Sequence, residues 1–296
     1  MKQIRHYFSL IKFSHTVFAM PFALIGFFLG TRTKTIISGP LTFDGLDPMV
    51  YKFLLVICCM IFARSAAMAF NRYLDRHYDK LNPRTAVREI PAGLIQPQHA
   101  LLFTIITSIL FLGCCWLINF LCFCLSFIAL FVILFYSYTK RFTALCHLVL
   151  GLGLSLAPIG AYLAITGVFA ILPLIFSFVV LTWVSGFDII YAMQDDAFDK
   201  SHGLHSIPAA LGKNNAVVFS RTLHAVTGIL LIVAGLLGYF HLIYWIGVVI
   251  FISLLFFQHT LFTIYDLSKV NLRFMTTNGI ASVVFSFFVI ADLLLS

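Results

Sequence analysis

Charged side chains are scarce in this sequence: 10% of its 296 residues are Asp, Glu, Lys or Arg, whereas 61% are hydrophobic. A soluble domain of this length carries about 25% charged residues, so the shortage excludes an ordinary soluble protein. About 20 consecutive apolar residues suffice to cross a bilayer. The apolar runs therefore predict an all-α integral membrane protein of one domain, residues 1–296. We predict nine spans: 16–31, 50–70, 100–118, 119–138, 142–166, 168–190, 215–239, 242–265 and 274–295.

Paired metal-binding or redox cysteines are also absent. None of the seven cysteines has CxxC spacing, and all lie in apolar runs, which indicates buried reduced thiols. The histidines of DKSHGLH, His202 and His205, are compatible with zinc, but a polar turn around Gly203 is the simpler interpretation. His15, in the first span, is a candidate for lining an internal cavity. No small-residue cleavage site follows the first run, so we interpret it as a retained helix rather than a signal peptide.

The basic residues predict the orientation. With the N-terminus inside and nine spans, fifteen of the 19 Lys and Arg residues fall on the inner side, three fall outside, and Arg64 lies within a span. This bias is the positive-inside pattern. It explains the net charge of +8 by contact of the cytoplasmic loops with anionic lipid headgroups. No nucleic-acid partner is needed.

Two long inner loops hold most of the acidic residues, and each begins with the pattern DxxxD. The first loop has Asn71, Asp75 and Asp79, spaced by four residues, and the second has Asp195 and Asp199. Residues four apart share one face of a helix. If the helices of the second and sixth spans continue past their apolar ends, each presents one row of oxygen atoms.

These rows predict a metal site. An unpaired Asp at the bilayer centre costs about 2.5–3.5 kcal/mol, so four would cost roughly 10–14 kcal/mol. The acids must therefore lie in a wet cleft near the cytoplasmic surface and share cations. Oxygen-only ligands suit Mg²⁺, which typically bridges substrate phosphates. Ordinary solvated loop acids are the alternative, but the pairing of two motifs on one side favours the metal.

Basic residues accompany the acids. Arg84, Lys140 and Arg141 are our candidates for phosphate contact, because guanidinium and ammonium groups neutralise diphosphate. Arg64 lies two helical turns before the first acidic motif, inside an apolar span, where a charge usually faces a cavity or a partner. It either pairs with an acid such as Asp188, itself within a span, or holds an acidic substrate.

At these residues the sequence resembles a known family. ARSAAMAFNRYLDRHYDKLNPRT around the first motif, YSYTKR at 136–141, YAMQDDAFDKSHGLHSIPAALG at 191–212 and the opening KFSHTVFAMPFAL are similar to the UbiA superfamily of intramembrane aromatic prenyltransferases. The 4-hydroxybenzoate polyprenyltransferases of bacterial quinone synthesis are the members that it resembles most. The likeness covers nearly the whole chain.

The resemblance implies nine transmembrane helices around a central cavity, capped by loops at the cytoplasmic end, in a bacterial inner (plasma) membrane. It implies a site in which two Mg²⁺ ions bridge a diphosphate. The implied metal ligands are Asn71, Asp75, Asp79, Asp195 and Asp199, and the four aspartates are the catalytic acids. The implied substrate-binding residues are Arg64, Arg84, Tyr136, Lys140, Arg141, Asp188 and Tyr191. Arg72 departs from the pattern, because many members have Asp directly after the first Asn.

We therefore expect Mg²⁺-dependent transfer of a polyprenyl group from its diphosphate to an aromatic acid such as 4-hydroxybenzoate, with the membrane lipids accommodating the apolar tail. Arg72 leaves open a different aromatic intermediate, one of menaquinone synthesis. A membrane transporter is the alternative from another class. It is disfavoured because the acids cluster at one end and no chain of ionisable residues crosses the membrane. The DGxxAR arrangement of CDP-alcohol phosphotransferases is absent.

Overall fold

The structure, a computed structural model, describes residues 6–7, 9–11, 20–32, 47–260 and 270–296, with only the backbone of 270–275. All regular secondary structure in these ranges is helical. The beginning of the first predicted span and His15 lie outside the described residues.

Twelve helices and one 3₁₀ turn make up the described chain. The helices are α1 Met20–Thr31, α2 Pro48–Leu74, α3 Arg76–Leu81, α4 Pro97–Ile118, α5 Phe120–Thr139, α6 Cys146–Thr166, α7 Ile171–Ala192, α8 Asp196–Ser201, α9 Ile207–Leu211, α10 Lys213–Leu237, α11 Leu242–Thr260 and α12 Val270–Leu295. The 3₁₀ turn, Met193–Asp195, links α7 to α8.

Eight helices in the described ranges are long and apolar enough to cross a membrane. They correspond to the second to ninth predicted spans, and their ends lie within a few residues of the predicted ones. The first predicted span is represented by α1, a shorter apolar helix of 12 residues. The all-helical membrane architecture is therefore confirmed, with eight candidate spans in the described part of the chain.

Two aspartates outside the acidic loops stabilise helix ends. Asp47 accepts hydrogen bonds from the backbone N–H groups of Met49 and Val50 at the start of α2. The buried carboxylate of Asp292, on α12, accepts from the backbone N–H groups of His241 and Tyr244 at the start of α11. Both carboxylates satisfy N–H groups that a helix leaves without an internal partner, so these acids have a structural role.

The chain divides into two compact units. Unit one comprises Met1–Thr16 and Ser38–Tyr138, and unit two comprises Val17–Ile37 and Thr139–Ser296. Each unit contains one of the two acidic motifs: the first follows α2 in unit one, and the second follows α7 in unit two.

Unit two has an aromatic core. Trp183 of α7 is fully buried and packs against Phe22 of α1 and Phe251 of α11, with ring centroids 5.4 and 5.7 Å away. Its indole N–H donates to the side-chain oxygen of Asn278 at 2.8 Å. Phe285 of α12 contacts the same cluster. These large side chains hold α7, which carries the second acidic motif, between its neighbouring helices.

Glycine allows two close helix contacts in unit two. A Cβ atom on Gly26 of α1 would overlap the carbonyl oxygen of Pro158 in α6, and one on Gly151 of α6 would lie 2.6 Å from the carbonyl oxygen of Leu181 in α7. Small residues let membrane helices approach closely in this way. The backbones of α6 and α7 are therefore in contact where α6 carries its polar residues.

In unit one the connection between α3 and α4 folds back onto α2. Ile90 and Ile95 of this connection form a buried cluster with Ala69 of α2 and with Leu10. Ser9 donates to the carboxylate of Glu89 at 2.5 Å. The connection is thus fixed beside the end of α2, where the first acidic motif begins.

Candidate active site

The first acidic segment, residues 71–79, continues α2 with one interruption. The helix ends at Leu74 and α3 begins at Arg76, with Asp75 between them at φ −86° and ψ 4°. The backbone N–H of Asp75 still donates to Asn71, and that of Asp79 to Asp75, at 2.9 and 2.8 Å. The expected row of side chains is therefore retained in this segment, although the helix is not continuous.

Asn71 and Asp75 contact each other within this row. The side-chain N–H₂ of Asn71 donates to Asp75 Oδ2 at 3.0 Å. This bond fixes the amide so that its nitrogen points toward the carboxylate, and the amide oxygen remains as the group able to bind a cation. The two residues that we predicted as ligands at the start of the segment are thus adjacent.

Asp79 has a basic partner that the sequence analysis counted only as a topology signal. Arg88, in the connection after α3, places Nη1 2.6 Å from Asp79 Oδ1, with 22% and 7% of the two side chains exposed. The other oxygen of Asp79, Oδ2, is buried and has no hydrogen-bond partner among the residues that the structure describes. No periodicity relates Arg88 to Asp79, because the connection between them is irregular. Its position therefore depends on the packing of Ile90 and its neighbours.

Tyr136, near the end of α5, lies among the charged residues of unit one. It interacts with Arg64, Arg72 and Asp75. Arg72 is buried and interacts with Asp79 as well. The structure therefore brings four predicted site residues into one group within unit one: Arg64, Asp75, Asp79 and Tyr136. The departure noted at Arg72 places an additional buried cation in that group.

The second acidic segment, residues 191–199, also departs from a continuous helix. After α7 ends at Ala192, the 3₁₀ turn Met193–Asp195 intervenes, and α8 begins at Asp196. Asp195 is half-buried and Asp199 is fully buried. Asp196, which we did not predict as a ligand, is buried and pairs with Lys200 one turn later at 3.0 Å.

Lys140 is the partner of Asp199. Its Nζ lies 2.7 Å from Asp199 Oδ1, with 33% of the lysine and none of the aspartate side chain exposed. The backbone carbonyl of Lys140 accepts from the N–H of His205 at 2.7 Å. This contact holds the loop after α8 against Lys140 within unit two. A residue predicted for phosphate contact is thus the counter-ion of a predicted metal ligand.

The remaining predicted substrate residues lie beside these pairs. Arg84 is exposed in the connection after α3, and its backbone N–H donates to Asn82 Oδ1 at 3.0 Å. Arg141 follows Lys140 and is half-buried, as is Tyr191 in the last turn of α7. His202 is exposed and stacks on Phe198 at a centroid distance of 4.0 Å.

Asp188 has a partner that the sequence analysis missed. The sequence suggested Arg64, but within unit two the Asp188 Oδ2 atom lies 2.7 Å from Nδ1 of His147 in α6. The available signal was the presence of a histidine inside an otherwise uncharged apolar span, which is a functional indication by default.

The donor atoms fit Mg²⁺ in type. Both segments offer carboxylate oxygens, and Asn71 adds an amide oxygen. The buried Oδ2 of Asp79 has no hydrogen bond to any described residue. Hard cations prefer such oxygen ligands. Among the described residues, no three His, Cys, Asp or Glu side chains form a group able to hold a metal ion. Arg88 pairs with the carboxylate of Asp79 in the first segment, and Lys140 pairs with the carboxylate of Asp199 in the second.

Fold and site together define a class: a helical membrane protein in which acidic segments follow two long apolar helices. The model of the UbiA prenyltransferase family matches residues 17–280. The chain therefore belongs to the UbiA prenyltransferase family and is a prenyltransferase, as the resemblance indicated.

Curated relatives carry names for one activity. The chain is 27% identical over 270 residues to a 4-hydroxybenzoate octaprenyltransferase of Francisella tularensis subsp. novicida, covering 91% of this chain and 90% of that one. It is 28% identical over 237 residues to a protein of the same name from Tolumonas auensis, covering 80% and 82%.

Solved structures share the fold. A UbiA homologue from Aeropyrum pernix K1 superposes with a TM-score of 0.78 at 27% identity, covering 95% of this chain and 98% of that one. A UbiA homologue from Archaeoglobus fulgidus, bound to DMAPP and Mg²⁺, superposes with a TM-score of 0.73 at 22% identity, covering 98% and 99%.

Proposed function

We propose that this chain transfers a polyprenyl group from a polyprenyl diphosphate to an aromatic acid, 4-hydroxybenzoate or a close relative, in quinone biosynthesis. The observation that carries the proposal is the pair of acidic segments, each with a buried aspartate beside a basic side chain: Asp79 with Arg88 and Asp199 with Lys140. The relatives named as octaprenyltransferases support the acceptor and the donor class.

We propose magnesium as the cofactor, held by Asn71, Asp75, Asp79, Asp195 and Asp199, with two ions bridging the diphosphate. The Archaeoglobus homologues bound to DMAPP or GPP with Mg²⁺ support this assignment. When bound, the metal neutralises negative charge on the leaving diphosphate. Arg84, Lys140 and Arg141 supply further positive charge for its oxygens.

The acceptor part of the site serves the ring and its carboxylate. Arg64 lies two helical turns before Asn71, deeper in α2, and holds the acceptor carboxylate in our proposal. Tyr136, Tyr191 and Asp188 contact the substrates. When the C–O bond of the donor breaks, an allylic cation forms, and the apolar span residues exclude the water that would convert it to an alcohol. The ring then attacks the cation and loses a proton.

The membrane is part of this proposal, because the donor tail and the product are lipids. We propose a single domain of nine spans in the bacterial inner membrane, with the N-terminus and both acidic loops on the cytoplasmic side and the loops capping a central cavity. The positive-inside distribution of Lys and Arg supports this orientation. The apolar tail leaves the site between helices.

A second acceptor class is favoured by Arg72. Where many family members have Asp after the first Asn, this chain has a buried Arg that interacts with Asp79 and Tyr136. An additional cation in this group changes the charge that an acceptor meets. An aromatic intermediate of menaquinone synthesis is therefore the alternative acceptor.

The test uses purified full-length protein in lipid vesicles with labelled geranyl diphosphate, candidate aromatic acids and Mg²⁺, and identifies products by mass spectrometry. Transfer without any ion gradient separates the enzyme from a transporter. Asp75→Asn and Asp195→Asn should each lower turnover by on the order of 10²–10³-fold, as the loss of one charge-stabilising group does. EDTA should abolish transfer, and added Mg²⁺ should restore it.

Asp196→Asn is the matched control. Asp196 is adjacent to Asp195 and buried, but it pairs with Lys200 on its own helix and is outside the proposed ligand set. It should retain turnover within a few-fold. Equal losses in Asp195→Asn and Asp196→Asn would reject the ligand assignment, and absence of a prenylated product with every acid would reject the proposed function.

A further inference from the structure

His147 and Asp188 form an ionisable pair outside the acidic segments. His147 Nδ1 lies 2.7 Å from Asp188 Oδ2. The other ring nitrogen, Nε2, accepts from the backbone N–H of Ile207 at 3.4 Å. Because an N–H group faces Nε2, the proton of the neutral imidazole is on Nδ1 and is donated to Asp188. Oδ2 of the carboxylate is thus the acceptor of this hydrogen bond.

The two members of the pair differ in access. The His147 side chain is 4% exposed, whereas that of Asp188 is 28% exposed. Oδ1 of Asp188 accepts no hydrogen bond from any residue in the described ranges. The histidine is therefore the fixed member, and Oδ1 of the aspartate has no hydrogen bond within the described part of the chain.

The position of Asp188 on α7 relates it to the second acidic segment. Asp188 precedes Asp195 by seven residues and lies one turn before the end of α7, which the 3₁₀ turn Met193–Asp195 follows. Tyr191 lies between them, and all three are half-buried. A carboxylate on a lipid-facing surface is costly, and this cost favours an interior position for Asp188.

A purely structural role is poorly suited to this pair. The helices α6 and α7 are already joined by the Gly151 contact and by a hydrogen bond from Ser185 Oγ to the carbonyl of His147 at 3.1 Å. A partly exposed carboxylate adds little to such an interface. Its Oδ1 atom, to which no described residue donates, and its place seven residues before Asp195 instead suit chemistry on a bound substrate.

We propose that Asp188 accepts the proton that the aromatic acceptor releases, and that His147 is its positioning residue. This inference rests on the proposed function. When the prenyl carbon bonds to the ring, the ring carbon carries both the new group and its hydrogen. The C–H bond breaks, its electron pair restores the aromatic ring, and the proton goes to Asp188 Oδ1. Diphosphate leaves with the electron pair of the C–O bond, so atoms and charges balance.

The decisive measurement is an isotope effect. The substrates are geranyl diphosphate and 4-hydroxybenzoate deuterated at the two ring carbons beside the hydroxyl-bearing carbon. In the wild type we expect proton loss to be faster than bond formation, so deuterium should leave turnover unchanged. Asp188→Asn should lower turnover by about 10²–10⁴-fold, the usual contribution of a general base, and deuterium should slow it further. The fraction of donor released as geraniol should rise. A ring cation that cannot lose its proton dissociates again to the allylic cation, which water converts to the alcohol.

Variants of the partner test the positioning role. His147→Ala should show a smaller loss than Asp188→Asn, together with the deuterium effect. His147→Asn, which retains an N–H donor near the Nδ1 position, should recover part of the activity. Ser185→Ala is the matched control, because it removes an α6–α7 hydrogen bond without touching the pair, and it should show no deuterium effect.

The outcomes separate the two proposals. Wild-type transfer combined with no deuterium effect and an unchanged geraniol fraction in Asp188→Asn overturns this inference and leaves the proposed function intact. If Asp188→Asn gives no prenylated product, the release of geraniol from the donor distinguishes a role as base from a structural role. Retained release supports the inference, and parallel loss of release indicates a structural role and overturns it. No wild-type product with any acid rejects the proposed function itself.

Discussion

Both acidic segments bury an aspartate beside a basic side chain, but the two basic side chains come from different parts of the chain. In each, the second aspartate of a DxxxD motif is buried and paired with a basic side chain at 2.6–2.7 Å. In unit one the partner, Arg88, lies nine residues downstream in an irregular connection. In unit two the partner, Lys140, comes from the end of α5, far upstream of Asp199.

The difference shows that motif spacing does not specify the counter-ion. A buried carboxylate must be neutralised or bound to a metal, but a cation from any neighbouring element satisfies this need. The segments also differ in how they follow their helices: a single interrupting residue at Asp75, against the 3₁₀ turn Met193–Asp195. The two segments thus carry the same types of side chain on different local backbone conformations.

The largest expected effect tests whether the two buried aspartates are equivalent. Asp79→Asn and Asp199→Asn should each lower turnover on the order of 10²–10³-fold, because each removes a proposed metal ligand. Calorimetric titration with Mg²⁺ in the presence of geranyl diphosphate should show weakened binding in both. A loss confined to one variant would break the equivalence and assign the metal to one segment.

The next effect compares the two counter-ions. Lys140→Met leaves the fully buried Asp199 without its cation and should lower the unfolding free energy by about 3 kcal/mol, as for broken buried ion pairs. Arg88→Met should cost less, about 2 kcal/mol, because Asp79 is slightly exposed. Thermal unfolding in detergent measures both.

Added Mg²⁺ provides a second test of the two counter-ion variants. Because a metal can replace the missing cation, Mg²⁺ should raise the unfolding temperature more in both variants than in the wild type. Unchanged unfolding temperatures in Lys140→Met and Arg88→Met would show that neither pair stabilises its segment.

The smallest effect concerns acids outside both segments. Asp292→Ala leaves two backbone N–H groups at the start of α11 unsatisfied and should cost about 1–3 kcal/mol. Asp47→Ala removes an exposed helix cap and should cost about 1 kcal/mol. Prenyl transfer by the folded protein should be unchanged in both. A loss of activity as large as in Asp79→Asn would contradict the distinction between structural and site acids.

Much of the fold was predictable from the sequence. The eight long helices correspond to predicted spans. A transmembrane helix is specified by a long apolar run, which is visible directly in the sequence. The rows Asn71–Asp75–Asp79 and Asp195–Asp199 were found from four-residue spacing, and both segments do follow long helices. Family membership followed from these same residues.

The partners of the site residues were not predictable in this way. From the sequence, Arg88 was interpreted only as part of the positive-inside pattern, and Lys140 was predicted to contact phosphate. No role was predicted for His147. Each contacts its aspartate from another element. Only the tertiary fold brings such residues together, so spacing along the chain carries no information about them.

By itself, the sequence determined a helical membrane protein of the UbiA family with two oxygen-rich segments, because apolar length and four-residue spacing are local properties. The tertiary structure alone decided which cations pair with Asp79 and Asp199, where each helix is interrupted, and that His147 contacts Asp188. Those outcomes depend on which elements pack side by side, and the close backbone contact at Gly151 shows how one such neighbour is selected.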